Sequence, residues 1–566
     1  MLFSGEGMLF LCKYLVNYEK QSDMFSRSTL FLAAAIIALL MACSPSGSFE
    51  EARESINISG LERHVMDLGS DQFMGREPFT EGEKITVEYL ADELRKTGFE
   101  PAFGDSYFQE VPMVKIRSVL KDPVRIRSKT GSIVLDTPDD AAIISPLEEE
   151  MVKVEDSEIV FAGFGIVAPD YGWNDYENLD VKGKTVIVLI NDPGLYTCDT
   201  ALFKGNEMTY YGRWTYKYEE AARQGAEGIL IIHEPRGAGY SYNIPRNSSV
   251  NPNLYIGSGT GKCRFTGWIA ADKADMLLRE SGYTTEDLRI KACGRDFRGF
   301  HLGMNISLEI RNSIEYNSSV NVAGILRGTL RPEESIVYTA HWDHFGIGEP
   351  ENGDSIFNGA VDNGTSMAWE LAIGKAFSGL RKKPERSIVL LFPTAEEQGL
   401  IGSLFYTEHP VFPIEKTVAC LNNDLLLPIG RMKDLMITGY GQSELDDYAS
   451  EAAEEQDRYV AADPNPHTGM YFRSDHFSFA KKGVPSLFAR GNTDSREHGK
   501  EWAAMMEKDY LDNRYHRTAD NYDPLTWDLE GVAEDARLAF TIGYRLSMSD
   551  SFPAWKAGSE FKSLRE

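Results

Sequence analysis

The sequence lacks any dense run of basic residues and is short of positive charge overall. It has 58 Lys and Arg against 86 Asp and Glu, so its formal net charge at pH 7 is −28. Proteins that bind nucleic acid neutralise phosphates with clustered Lys and Arg, so this balance argues against nucleic acid as a partner. We interpret the acidity as a source of solubility. Internal repeats and low-complexity tracts are also absent from the sequence.

Cysteine is scarce, and the sequence has no closely spaced cysteine cluster. Cys198, Cys263, Cys293 and Cys420 follow the N-terminal apolar segment at wide intervals. Such spacing is not that of a cysteine zinc site. Export would permit disulfides, but the spacing does not choose among the possible pairings. Cys420 lies in an apolar run and is interpreted as a buried core residue.

Long apolar runs are also missing. The apolar segment 28–42 is too short and asymmetric for a transmembrane helix, which needs about 20 apolar residues. Arg27 precedes it and small residues follow it, as in a signal peptide. Leu40-Met41-Ala42-Cys43 resembles a bacterial lipobox, whose cysteine becomes the lipidated first residue. We therefore expect an exported cell-envelope lipoprotein, on the periplasmic face or outer membrane, that touches membrane only through a lipid on Cys43. A plain signal peptide is the alternative.

The length of 566 residues predicts two or more domains. Residues 1–43 form the expected signal segment, and 1–23 precede a natural start at Met24, which indicates a mis-called start codon. Residues 118–315 have short β-like runs separated by Gly, Asn and Asp turns. Because the catalytic-looking residues lie outside it, this segment is predicted to be a domain inserted into another, which is formed by 48–117 and 316–550.

An α/β alternation begins at Val320 and continues to the end of the chain. Strands are predicted near 335–340, 387–392, 417–421 and 485–489, and helices near 364–377, 399–407, 442–456 and 529–547. The predicted fold class is α/β, with a mixed, mainly parallel sheet sandwiched by helices.

His341 lies where the first of these buried strands ends, which is where open α/β sheets place their sites. A neutral imidazole is a good zinc ligand, and Asp343 could hold its second ring nitrogen. A capped turn is the alternative interpretation of this short stretch.

Further residues with metal-binding side chains follow at later strand ends and in later loops. Glu396 and Glu397 come after one buried strand, and Asp424 comes after another. Asp362 heads a helix, where an N-cap is the alternative, and His516 lies in a polar loop. Two imidazoles and three carboxylates suit zinc, and one carboxylate can bridge a pair of ions. A remaining glutamate can take a proton from water and return it to a leaving amine.

These motifs, in this order, resemble the dinuclear zinc aminopeptidases of the superfamily that includes glutamate carboxypeptidase and the transferrin receptor. The resemblance covers 318–550 and 57–112, the latter including Gly75-Arg76-Glu77-Pro78. The resemblance implies a zinc-peptidase fold, which is a phosphorylase/hydrolase-like fold. The inserted segment resembles a β-rich protease-associated domain, chiefly through 183–188 and 221–228.

The resemblance also implies a site with two Zn²⁺ ions. Asp362 would bridge the ions, His341 and Asp424 would complete one of them, and Glu397 and His516 would complete the other. Glu396 falls on the general base, and Asp343 matches the acid behind the first histidine. Residues 474–477 resemble a loop that lines the substrate pocket, whereas His344, His467 and His498 are expected at the surface or pocket rim.

The predicted function is removal of N-terminal residues from peptides. A carboxypeptidase on the same site is an alternative, for which Arg473, Arg490 and Arg517 offer positive charge. An inactive binding protein on the same scaffold is a second alternative, but every expected ligand and the base are present. A glutaminyl cyclase would be expected to use a single zinc and to lack the inserted domain.

Overall fold

The computed structural model describes residues 47–257 and 261–565. The expected signal segment and Cys43 lie outside the described residues. Within the described part of the chain, no helix is both long and apolar enough to cross a membrane. Its four cysteines are all unpaired.

Helices and strands are numbered here in chain order. The helices are α1 Phe49–Glu54, α2 Ile58–Leu68, α3 Glu81–Lys96, α4 Pro193–Thr197, α5 Trp214–Arg223, α6 Pro235–Ala238, α7 Asn243–Val250, α8 Ala271–Glu280, α9 Thr285–Ala292, α10 Ser366–Gly379, α11 Ile401–Glu408, α12 Leu445–Glu454, α13 His476–Ala480, α14 Lys500–Asn513 and α15 Glu530–Met548. The strands are β1 Glu100–Pro101, β2 Phe108–Leu120, β3 Val124–Arg127, β4 Ser132–Leu135, β5 Ala141–Ile144, β6 Met151–Phe161, β7 Val167–Ala168, β8 Trp173–Asn174, β9 Thr185–Leu189, β10 Gly228–Ile232, β11 Asn253–Ile256, β12 Phe265–Ile269, β13 Phe300–Leu326, β14 Arg331–Thr339, β15 Gly346–Glu351, β16 Asp354–Phe357, β17 Arg386–Phe392, β18 Thr417–Asn422, β19 Asp434–Thr438, β20 Tyr459–Ala462 and β21 Ser486–Arg490.

The central sheet has the order β13, β17, β14, β18, β21, β19, β20. Its middle strands, from β17 to β21, run parallel to one another, whereas β13 and β19 pair antiparallel with their inner neighbours. This sheet confirms the predicted α/β class with a mixed, mainly parallel sheet.

Alternate residues of the central strands enter two cores. On β14, Ile336 and Tyr338 face one core with helices α10 and α15, whereas Val337 faces the opposite core with α11 and α13. Both faces of the strand are therefore buried, which explains why the strand is apolar without interruption instead of alternating with polar residues.

Within the inserted segment, β6, β9, β10 and β12 are parallel neighbours, and they belong to the same continuous sheet as the central strands. The 27-residue strand β13 runs through both parts of the chain and pairs with β2, β3 and β6 before it reaches β17. Both β2 and β13 cross the boundaries predicted at residues 118 and 315. The domain limits and the protease-associated identity of the segment stay predictions.

The predicted strands and helices of the C-terminal half occur within a few residues of their expected positions. Within this half, the sequence interpretation missed β15, β16, β19, β20, α13 and α14. Strands β19 and β20 are short, and α14 buries only Ala503 and Tyr510, so its apolar periodicity is weak.

Candidate metal centre

The carboxyl ends of three neighbouring parallel strands bring the predicted site residues together. His341 follows β14, Glu396 and Glu397 follow β17, and Asp424 follows β18. Because adjacent parallel strands end at the same edge of the sheet, side chains that are distant in sequence meet there. Asp362 joins them from the turn before α10, and His516 joins them from the loop after α14.

The first group is centred on His341. Its Nε2 lies 3.5 Å from Asp362 Oδ1 and 3.6 Å from Asp424 Oδ1. These three residues could together hold a metal ion. The other ring nitrogen, Nδ1, lies 3.1 Å from the carbonyl oxygen of Asp343. That carbonyl can accept a hydrogen bond from Nδ1 and so direct Nε2 towards the carboxylates.

The second group is centred on Glu397. Its Oε2 lies 3.2 Å from His516 Nε2, and its Oε1 lies 2.8 Å from His344 Nδ1. His516 Nε2 is also 3.2 Å from Asp362 Oδ2. His344, Asp362 and Glu397 form the second set that could hold a metal ion. Two histidines, His344 and His516, therefore face Glu397. His516 also faces Asp362, which belongs to the first group as well.

Asp362 belongs to both groups and directs one carboxylate oxygen to each. Its Oδ1 faces His341, and its Oδ2 faces His516. A carboxylate shared in this way has the arrangement needed to bridge two cations.

Glu396 and Glu397 are held together but directed differently. The carboxylate of Asp343 accepts the backbone N–H groups of Glu396 at 2.9 Å and Glu397 at 3.3 Å. Glu396 Oε2 then lies 3.8 Å from His341 Nε2, on the side of the first group. Asp343 thus orients the two glutamates through its carboxylate. Its backbone carbonyl oxygen contacts Nδ1 of His341.

The gathered carboxylates give the buried site an excess of negative charge. Burial, with Asp424 and Glu397 nearby, raises the pKa of Glu396 well above its ordinary value. Burial by itself lowers the pKa of His341, but Glu396 and Asp424 outweigh it and raise that pKa well above its ordinary value. The negative charge that makes these groups hold protons would also attract a metal cation. The charge of the site therefore favours metal binding.

The donor set also fits zinc. It consists of imidazole nitrogens and carboxylate oxygens, which are the ligands that zinc takes in catalytic sites. Asp424 Oδ1 and His344 Nε2 are buried and have no hydrogen-bond partner among the described residues. Buried polar atoms are normally satisfied, so a ligand role for the Asp424 oxygen supplies the missing interaction.

One expectation about a neighbouring residue is wrong. His344 is buried at 2% exposure rather than placed at the surface or rim, because it packs between Glu397 and the ring of Phe345. Residues 474–477 are buried as well and lie beneath the site, where Ser474 Oγ accepts a hydrogen bond from Asn422 at 2.8 Å. Ser474 thus supports the end of β18, and the pocket-lining role of residues 474–477 stays a prediction.

Sequence interpretation missed the role of Arg76. Its fully buried guanidinium donates hydrogen bonds to backbone carbonyls that surround the site, including Trp342 at 2.9 Å and Asp362 at 3.2 Å. Further bonds reach Asn358 and Gly359. An arginine in a loop rich in Gly and Pro is ordinarily exposed to solvent. The one signal for a different role was its place in the motif Gly75-Arg76-Glu77-Pro78, which resembles the family.

Asp520 was also missed. Its carboxylate accepts the backbone N–H groups of Val361 and Asp362, both at 3.0 Å, and the hydroxyl of Tyr510 at 3.1 Å. It therefore fixes the backbone N–H of Asp362, whereas Arg76 fixes the carbonyl of the same residue.

We expect Asp520→Asn to weaken zinc binding by about 10–100-fold, the usual effect of removing a group that orients a ligand. The amide would direct N–H groups at the donors of Val361 and Asp362 and so disturb the shared carboxylate. Zinc affinity measured by competition with a chelator checks this. Asp523→Asn is a matched control, because among the described residues the carboxylate of Asp523 accepts hydrogen bonds from Leu525 and Thr526, which are not part of the site. Equal zinc affinity in Asp520→Asn and the wild type would contradict the assigned role.

Residues 321–541 match the description Peptidase family M28. The mouse protein named Aminopeptidase NAALADL1 is 34% identical over 168 residues, which are 27% of this chain and 21% of the mouse protein. The Xenopus laevis protein named Carboxypeptidase Q is 24% identical over 255 residues, which are 44% of each chain. The chain thus spans about a fifth of the mouse relative and less than half of the frog relative.

Among solved structures, the aminopeptidase from Aneurinibacillus sp. strain AM-1 aligns over 89% of this chain and 97% of its own, with 15% identity and a TM-score of 0.46. BSAP, a zinc aminopeptidase from Bacillus subtilis, aligns over 91% of this chain and 97% of its own, with 17% identity and a TM-score of 0.39. The M28 match covers every predicted ligand from His341 to His516 and agrees with the peptidase resemblance of the motifs.

Proposed function

We propose that this chain, whose residues 321–541 match peptidase family M28, is a zinc-dependent exopeptidase that removes N-terminal residues from peptides. The observation that carries the proposal is the position of Asp362, whose two carboxylate oxygens face His341 and His516. That arrangement supports a pair of zinc ions rather than one. The family match and the relatives named aminopeptidase and carboxypeptidase support a metallopeptidase.

In this proposal His341 and Asp424 would hold one zinc ion, Glu397 and His516 would hold the other, and Asp362 would contribute to both. When bound, the ions would polarise the scissile carbonyl and lower the pKa of an attacking water. Glu396 takes a proton from the attacking water and returns it to the leaving amine.

The remaining groups act on these residues. The carboxylate of Asp343 fixes the positions of Glu396 and Glu397 by accepting hydrogen bonds from their backbone N–H groups. His344 holds Oε1 of Glu397 and leaves Oε2 directed at His516. Fixed side chains of this kind lower the cost of reorganisation when the substrate reacts.

A direct assay separates the aminopeptidase from the alternative carboxypeptidase. The zinc-loaded protein is incubated with amino-acid arylamides, tripeptides and N-acetylated tripeptides. We expect release of arylamine and of the first residue of the tripeptide, with N-acetylation lowering kcat/KM by at least about 100-fold, because an aminopeptidase must bind the free amine. Release of the last residue from both tripeptides would overturn the aminopeptidase assignment in favour of a carboxypeptidase.

We also propose that the chain is a lipoprotein of the bacterial cell envelope, attached by a lipid on Cys43. The support is the sequence alone, from the apolar segment 28–42 to the lipobox-like residues before the cysteine. Cys43→Ser is expected to shift the protein from the membrane fraction to the soluble fraction. Equal membrane recovery of Cys43→Ser and the wild type would refute the proposal.

A further inference from the structure

A short basic loop lies at the end of the central sheet opposite to the metal centre. Arg381, Lys382 and Lys383 are the one run of three consecutive Lys or Arg residues in the sequence. They lie between helix α10 and strand β17, and all three are exposed. This basic loop precedes the amino end of β17, whereas Glu396 and Glu397 follow its carboxyl end. At about 3.3 Å per residue, the seven residues of β17 place the loop and the metal centre roughly 20 Å apart.

The positive charge of the basic loop is not neutralised. Among residues 47–257 and 261–565, none of its three side chains forms an ion pair. Three acids nearby are engaged by other arginines, because Glu385 and Asp550 pair with Arg331 and Glu334 pairs with Arg386. In a chain with a net charge of −28, an uncompensated positive surface indicates an anionic partner.

An exposed leucine lies beside the basic loop. The side chain of Leu330 is 69% exposed. Its backbone N–H donates to the carbonyl of Glu385 at 3.1 Å, and that of Thr329 donates to the carbonyl of Pro384 at 3.0 Å, so the two loops are joined. A single exposed leucine is ordinary on a protein surface. Next to three uncompensated positive charges, however, it gives this surface both the apolar and the basic component of a membrane-interface contact.

The chain approaches Cys43 at this same end of the molecule. The carbonyl of Gly47, the first residue that the structure describes, accepts the backbone N–H of Arg381 at 2.8 Å. Cys43 precedes Gly47 by four residues in the sequence. Because an extended chain spans at most about 3.6 Å per residue, Cys43 must lie within about 15 Å of Gly47. A lipid on Cys43 would therefore bring the basic loop to the surface of the bilayer.

We propose that the basic loop and Leu330 contact a bilayer surface of anionic phospholipids and turn the metal centre away from the membrane. Lys and Arg are attracted to anionic headgroups, and a leucine can enter the boundary between headgroups and acyl chains. The inference rests on the proposed lipid attachment and adds a protein contact to it. From the sequence, only the lipid was expected to touch the membrane.

This orientation also specifies the substrates that the metal centre meets. Strand β13 runs antiparallel to β17, so its 27 residues extend from the membrane end, past the carboxyl edge of β17, into the inserted segment. Both the metal centre and the inserted segment would then face the solution. The substrates are accordingly soluble peptides and not the termini of membrane-embedded proteins.

Vesicle binding by zinc-loaded Cys43→Ser protein tests the protein contact without the lipid. The protein is sedimented with vesicles of phosphatidylcholine, with or without phosphatidylglycerol, at low and high NaCl. We expect binding to the phosphatidylglycerol vesicles that is lost at high salt. Changing Arg381, Lys382 and Lys383 together to Gln should weaken this binding by at least about 10-fold, since each basic residue at an anionic surface contributes about 5-fold. Leu330→Ser should weaken it as well.

A second triple variant is the matched control, because it removes the same charge from exposed residues of the inserted segment without ion pairs among the described residues. It changes Arg117, Arg125 and Lys129 to Gln. Its vesicle binding should stay close to that of the parent protein. Both triple variants should keep the parent zinc content and arylamide hydrolysis, because their substitutions lie outside the metal centre.

Lysine acetylation read by mass spectrometry tests the contact in the wild-type protein reconstituted into phosphatidylglycerol vesicles. Lys382 should be protected relative to the protein in detergent, whereas Lys129 should not. Equal vesicle binding by the two triple variants, or equal acetylation of Lys382 with and without vesicles, would overturn the proposed contact. The fate of the lipid proposal is decided separately, since membrane recovery of Cys43→Ser equal to the wild type refutes the lipid, whereas these two comparisons judge the basic loop.

Discussion

Glu396→Gln should lower kcat by roughly 10²–10⁴-fold, the usual contribution of a general acid–base group, and leave the zinc content unchanged. Glutamine keeps the volume of the side chain but cannot accept the proton of the attacking water. Glu396 lies 3.8 Å from His341 Nε2 and is not the carboxylate that His516 faces. Its loss should therefore affect the reaction rather than the metal.

Glu397→Gln is the matched control for this prediction. Glu397 is held between His344 and His516, so the neutral amide should weaken metal binding, and excess zinc should restore part of the activity. Metal analysis and steady-state kinetics on both variants distinguish the two roles. Loss of metal in Glu396→Gln with retention in Glu397→Gln would reverse the assignment. Full activity in both variants would mean that this site is not catalytic.

Asp362→Asn should remove more than one zinc ion per chain and lower activity by at least about 100-fold. The shared carboxylate directs one oxygen to each group, so a single substitution affects both ions. Zinc ligands are deprotonated oxygens or nitrogens, and an amide is a much poorer donor than a carboxylate. Metal analysis after dialysis against buffered zinc measures this directly.

Asp424→Asn is the appropriate comparison, because Asp424 faces only the first group. It should reduce the content of one ion and leave the second in place. A single zinc ion per chain in fully loaded wild-type protein would contradict the dinuclear site and favour the cyclase-like alternative. Equal losses in Asp362→Asn and Asp424→Asn would show that Asp362 does not bridge.

The ligand candidates could be predicted because local sequence pattern places them. An uninterrupted apolar run identifies β14, β17 and β18 as strands buried on both faces, and the polar residues after each run must then lie at the edge of the sheet. His341, Glu397 and Asp424 all meet that condition. The order of these residues then indicates the family.

The orienting groups could not be predicted in the same way. Arg76 reaches carbonyls more than 260 residues away in sequence, and Asp520 reaches backbone groups more than 150 residues away. Neither lies at the end of a recognisable apolar run. His344 was misplaced for the same reason, because its burial depends on Glu397 and on a loop that sequence periodicity does not position.

The sequence by itself determined the α/β class, the strand-end positions of the ligands and the chemistry of the donor set. These follow from residue type and from periodicities of a few residues, which are local properties of the chain. Only the tertiary structure decided which groups orient the carboxylate of Asp362 and that His344 is buried beside Glu397. Those features depend on distances between side chains that are tens to hundreds of residues apart, and chain folding alone sets such distances.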